Sequence, residues 1–150
     1  FMDPLDDPFA AIATMLNTWR LGANADAIVL DFHGEASSEK MAMGHFVDGR
    51  VSAVVGTHTH IPTADAQVFP GGTGYMTDLG MCGDYDSVIG IQKHISVERF
   101  VRKMPTARME AAQGEATFCA VLVDIDDGTG LATDIRPVRI GGRLRGEMPD

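Results

Sequence analysis

Ala27-Ile28-Val29-Leu30-Asp31-Phe32-His33 and Ser52-Ala53-Val54-Val55-Gly56-Thr57-His58-Thr59-His60 decide the fold. Each opens as a short apolar run rich in branched residues, which reads as a buried strand. Each runs out in histidine. Between them, Ser37 or Ser38 can cap a helix reaching about Val47 and closed by Asp48-Gly49. Strand, helix and strand in so short a span form a βαβ unit, which predicts a parallel or mixed sheet in an α/β fold.

Working outward, Asp7-Pro8 reads as a helix start, with Asp as N-cap and Pro in the first turn. Phe9, Ile12, Ala13, Leu16 and Trp19 follow at helical spacing, and Gly22 is the expected stop. Residues 61–94 are rich in glycine and weak in periodicity. They predict long functional loops with short strands near Ala66–Phe69 and Gly74–Thr77. A helix is expected near Ser96–Lys103. Thr117–Asp126, the turn Asp127-Gly128-Thr129-Gly130 and Leu131–Ile140 read as a β-hairpin, and Gly141 to Asp150 as a frayed tail.

Composition bounds the function. With 150 residues, 45% hydrophobic and 22% charged, the chain has the proportions of one globular domain rather than a disordered segment. A formal charge of −9 disfavours nonspecific binding to duplex nucleic acid. It leaves room for a small phosphate ligand, because a bound cation reverses the local sign. Cys82 and Cys119 form no Cys-x-x-Cys and read as incidental buried thiols of a reduced, cytoplasmic protein. No apolar run approaches the length of a membrane span, so no membrane partner is expected. The chain opens Phe1-Met2-Asp3-Pro4-Leu5-Asp6-Asp7-Pro8, without Met at position 1, and reads as cut from something longer.

Three of the five histidines, His33, His58 and His60, sit where the two strands end. Ligands of open α/β sheets bind at the carboxyl ends of the strands, so these three are expected to converge on one rim. Neutral imidazole is the commonest protein metal ligand. An isolated His-x-His is more readily a pair of solvated loop residues than a ligand pair. A glycine-terminated strand before it and a third histidine at the neighbouring strand end favour metal binding. Asp31 and Glu35 flank His33 and are candidates to orient its ring; Glu35 is equally a helix N-terminal carboxylate. His45, mid-helix, and His94, in a loop, read as surface or packing residues.

The segment Asp31-Phe32-His33-Gly34-Glu35-Ala36-Ser37-Ser38-Glu39-Lys40 resembles the D-F-H-A-E-A-T-S-E-K stretch of YmdB-like metallophosphoesterases. Val54-Val55-Gly56-Thr57-His58-Thr59-His60 resembles their V-V-G-T-H-T-H. Thr63-Ala64-Asp65, Tyr75-Met76-Thr77-Asp78-Leu79-Gly80-Met81, Asp84-Tyr85-Asp86 and Val123-Asp124-Ile125-Asp126-Asp127 continue the likeness, from about Asp3 to about Ile140. The resemblance implies the calcineurin-like phosphoesterase sandwich of mixed β-sheets flanked by helices, ending here in the hairpin. It implies two divalent metal ions (Fe, Mn or Zn) and hydrolysis of small phosphodiesters, 2′,3′-cyclic nucleotides above all, by metal-activated hydroxide. On the family pattern His33 and His58 bind one metal and His60 the other. Asp78 is a candidate to orient the ligands or to cap a turn.

The family's G-D-V-x-G, N-G-E-N and G-N-H-T-W-D motifs are absent from this sequence. They supply an Asp ligand, a bridging Glu, an Asn ligand and the proton-donating His. Residues 1–150 are therefore expected to be the C-terminal portion of a single metallophosphoesterase domain, with little or no activity by themselves and with the catalytic proton donor elsewhere. Sheet surfaces left uncovered would favour a homo-oligomer. The competing readings are a non-catalytic metal- or nucleotide-binding module with a mononuclear three-His site, and a structural domain without metal.

Overall fold

Asp7 accepts the amides of Phe9 (2.8 Å) and Ala10 (3.3 Å) through Oδ1 and so opens α1 (Pro8–Thr18), with Pro8 in the first turn where its missing N–H costs nothing. The computed structural model describes residues 6–104 and 107–149, so the reading of Phe1 to Leu5 lies outside the described residues. Helix α1 stops at Thr18, ahead of the expected Gly22. Asn24 ends it from outside: its side chain accepts Arg20 N–H at 2.8 Å and donates to Thr18 O at 2.8 Å. Trp19 consequently leaves the helical face and is exposed.

The chain continues through β1 (Val29–His33), α2 (Ser37–Val47), β2 (Ala53–Thr57), β3 (Gln67–Val68), β4 (Gly74–Met76), β5 (Gly83–Asp84), α3 (Lys93–Arg102), β6 (Ala116–Ile125) and β7 (Ala132–Ile140). The first sheet has the order β1-β2-β4-β3. Its β1, β2 and β4 are parallel, and β3 runs antiparallel to β4. The second sheet, β5-β6-β7, is antiparallel. This is the mixed α/β architecture expected from the sequence.

Core packing follows the apolar stripes. Ile12 and Leu16 of α1 and Met43 and Val47 of α2 meet Val51, Val54, Phe69 and Tyr75. Gly44 lets α2 lie on the sheet, because a Cβ there would come within 2.7 Å of the Tyr75 ring. Phe69 stacks between Tyr75 (4.8 Å) and His45 (4.2 Å), which makes His45 a packing residue. The two sheets are joined where Ser52 Oγ donates to Gly130 O (2.5 Å) and Ala132 N–H to Gly72 O (2.8 Å).

Several expectations need correction. β1 is an edge strand rather than a buried one: its outer side has no strand among the described residues, Val29 is 62% exposed, and only Leu30 and Phe32 turn towards the core. Helix α3 begins at Lys93, so His94 lies in its first turn and not in a loop. The tail is tied down: Arg139 and Glu147 exchange both backbone hydrogen bonds and their side chains pair. Cys119 is buried as expected, whereas Cys82 is exposed; both are free thiols.

Candidate metal-binding site

Parallel register places His33 opposite Thr57 at the carboxyl ends of β1 and β2. Gly56 allows the next segment to cross closely, since a Cβ would stand 1.7 Å from Thr77 O. The chain then turns through His58 (φ 120°) and His60 (φ 65°), both in left-handed backbone. Non-glycine residues hold such conformations only when their surroundings over-determine them, and they gather at functional sites.

Those surroundings are specific. Asp78 is fully buried, and its Oδ2 accepts the Thr59 amide (2.8 Å) between the two histidines. It also accepts Gly80 N–H on Oδ1 (2.9 Å), which caps a turn, and Lys40 Nζ on Oδ2 (2.9 Å). Burial pushes the Asp78 carboxyl up, but Lys40 and the two amides together outweigh it and hold the group below the usual carboxylate range. Tyr85 anchors the far side of the loop. Its hydroxyl lies 3.0 Å from His60 O and 3.1 Å from Met81 O and accepts Met81 N–H. Burial, with Cys119 beside it, pushes the phenol up to about 12, so it stays a donor.

Hydrogen-bond polarity fixes the tautomers. Thr57 gives its one hydroxyl proton to Asp31 Oδ1 (3.1 Å), so it accepts from His33 Nδ1 (3.1 Å). Neutral His33 therefore carries its lone pair on Nε2. His58 Nε2 donates to Glu35 Oε2 (2.5 Å), which leaves the lone pair of neutral His58 on Nδ1. These two lone-pair nitrogens face each other at 3.0 Å. Two neutral rings so arranged repel unless a positive charge lies between them: a proton, which makes one ring imidazolium, or a cation taken by both. His60 Nδ1 donates to Ile89 O (3.1 Å), which frees its Nε2 as well. The donor set thus fits a divalent cation, each ring held by a partner behind it.

The three histidines at this rim are not equivalent. His33 and His58 touch edge to face, with centroids 4.8 Å apart, while His60 turns to the loop carrying Ile89. Among the described residues no group of three or more His, Cys, Asp and Glu side chains closes around one ion. Glu35 lies on His58 rather than on His33, and Asp31 reaches His33 only through Thr57. Asp78 caps a turn and holds the Thr59 amide, and its carboxylate bonds to no histidine ring.

Three contributors escaped the sequence reading. Thr57 is invisible until the register is known. Lys40 carried a signal, because it heads the buried stripe Lys40, Met43, Gly44 and Val47 of α2. Ile89 (φ 48°) carried none: a branched residue in left-handed backbone is not written in its neighbours.

A family profile described as "YmdB-like protein" matches residues 1–138. The chain is 44% identical over 140 residues to the 2′,3′-cyclic-nucleotide 2′-phosphodiesterase of Bacillus subtilis (strain 168), covering 93% of this chain and 52% of that protein. A hypothetical protein from Thermus thermophilus superposes with a TM-score of 0.85 at 44% identity, over 95% of this chain and 54% of that one. The crystal structure of a novel phosphatase from Mycoplasma pneumoniae superposes with a TM-score of 0.81 at 32% identity, over 90% of this chain and 47% of that one. The chain spans about half the length of these relatives.

Proposed function

The chain belongs to the YmdB-like protein family, and on that premise we propose that it forms part of a metal-dependent phosphodiesterase acting on small phosphodiesters, 2′,3′-cyclic nucleotides in particular. The observation carrying this reading is the approach of His33 Nε2 and His58 Nδ1 to 3.0 Å at the ends of parallel strands, each ring held from behind by a hydrogen-bond partner. The likeness to the Bacillus subtilis 2′,3′-cyclic-nucleotide 2′-phosphodiesterase supports the substrate class.

In this reading His33 Nε2 and His58 Nδ1 hold one divalent cation, and His60 Nε2 serves a second. Bound cations supply Lewis acidity towards the phosphoryl oxygens and lower the pKa of water. The residues of this chain bind and orient. Thr57 and Asp31 keep the His33 proton on Nδ1, Glu35 keeps the His58 proton on Nε2, and the Ile89 carbonyl does the same for His60 Nδ1. The remaining ligands and the proton donor are assigned to the part of the family's domain that this chain does not span. The net charge of −9 fits a site whose positive charge comes from metal, and it disfavours duplex nucleic acid.

The test is hydrolysis of 2′,3′-cyclic AMP with Mn²⁺ by the full-length protein that carries this segment. Turnover should fall by about two to three orders of magnitude in His33→Ala and in His58→Ala, a loss on the scale of removing an essential electrostatic group. Residues 1–150 alone should be inactive. Undiminished turnover in both variants would overturn the reading.

A further inference from the structure

Lys40 is a fully buried lysine on the core face of α2, and the fold makes room for it. Its stem crosses Gly56, where a Cβ would stand 2.8 Å from Lys40 Cδ, and passes Gly34, where a Cβ would meet Cγ at 3.8 Å. At its end the ammonium meets the equally buried Asp78 at 2.9 Å. A buried ion pair is a weak device for stability, because desolvation offsets most of the attraction and apolar replacements often do as well. This pair is attached to something else. The oxygen of Asp78 that accepts Lys40 also accepts the Thr59 amide, midway between the left-handed His58 and His60. The Asp78 backbone is fixed in turn by Thr63, whose amide donates to Asp78 O (3.0 Å) and whose hydroxyl accepts Asp78 N–H (3.0 Å).

We propose that Lys40 is a positioning residue for the histidine loop: its ammonium holds the Asp78 carboxylate, and the carboxylate sets the Thr59 amide and with it the backbone that aims His58 and His60. The inference rests on the reading of those histidines as ligands, yet it is tested without metal.

Amide hydrogen exchange by NMR is the experiment. In the wild-type chain, Thr59 N–H should exchange at least tenfold more slowly than in an unstructured peptide; an unprotected amide would overturn the proposal. In Lys40→Met, Thr59 exchange should accelerate at least tenfold and the ring ¹⁵N signals of His58 and His60 should move, while the Val54 and Val55 amides stay as in wild type. A folded Lys40→Met with wild-type Thr59 exchange and ring signals would overturn it. If that variant does not fold, Lys40→Met/Asp78→Asn removes both buried charges. Asn offers one carbonyl oxygen to two amides, so Thr59 or Gly80 should lose at least tenfold of its protection, and full protection at both would overturn the proposal. If neither variant folds, the wild-type rate decides. Zn²⁺ titration of wild type and His58→Ala tests the ligand reading separately, so either can fail while the other stands.

Discussion

His33 Nε2 and His58 Nδ1 face each other at 3.0 Å, each on a ring whose other nitrogen is already committed as a donor. The first commitment depends on the Thr57 hydroxyl, which passes the polarity of Asp31 to His33. Thr57→Val keeps the shape of the strand end and removes the relay. Zn²⁺ affinity measured by calorimetry should drop about 10–100-fold, the usual cost of losing a ligand's supporting hydrogen bond. Thermal stability should change little, because the lost bonds are exposed. Unchanged affinity would show that the tautomer of His33 is set by something else.

Gly56 makes the tightest approach of any glycine. A methyl group there would overlap Thr77 O at 1.7 Å and Lys40 Cδ at 2.8 Å, and the backbone oxygen has nowhere to retreat because Leu79 N–H is bonded to Gly56 O at 2.9 Å. Gly56→Ala should destabilise the fold by about 3 kcal/mol or more, at the upper end for overpacking. Urea unfolding measures this directly; a loss below about 1 kcal/mol would mean that β2 and the 77–79 segment can separate cheaply.

Acid should weaken the loop scaffold from two carboxylates. Asp65 is pushed up by burial, but Thr63 and Thr77 outweigh that and hold it below its ordinary 3.8, and Asp78 is likewise held below 3.8. Both folded-state values are depressed, so the native state binds fewer protons than the unfolded chain. Their contribution is fully present above the ordinary value and is lost as pH falls through the folded-state values. Urea midpoints should therefore decline below pH 3.8, and Asp65→Asn should flatten that slope while lowering stability at neutral pH. An unaltered slope would contradict the assignment.

Much of this arrangement could be read from the residues, for physical reasons that also mark the limit. The β6–β7 hairpin and the β1-α2-β2 unit are written in local patterns: alternation, a glycine-rich turn and apolar runs that end in histidine. Asp7-Pro8 announces α1 because capping is local chemistry. The edge position of β1 could not be read, since an apolar run reveals burial on its faces but not how many neighbours it has. Glu35 looked like a partner of His33 because it is close in sequence, yet the turn into α2 carries it over to His58. Lysine is seldom fully buried, yet Lys40 falls on the same stripe of α2 as Met43, Gly44 and Val47 and lies inside.

The facing nitrogens of His33 and His58 are where a divalent cation is expected to bind. Histidine ring ¹⁵N spectra recorded while Zn²⁺ is added test this most directly. His33 Nε2 and His58 Nδ1 should shift together, with His45 and His94 unmoved and the response abolished in His58→Ala. Zn²⁺ that leaves both nitrogens unshifted, or that moves only His45 or His94, would contradict the account.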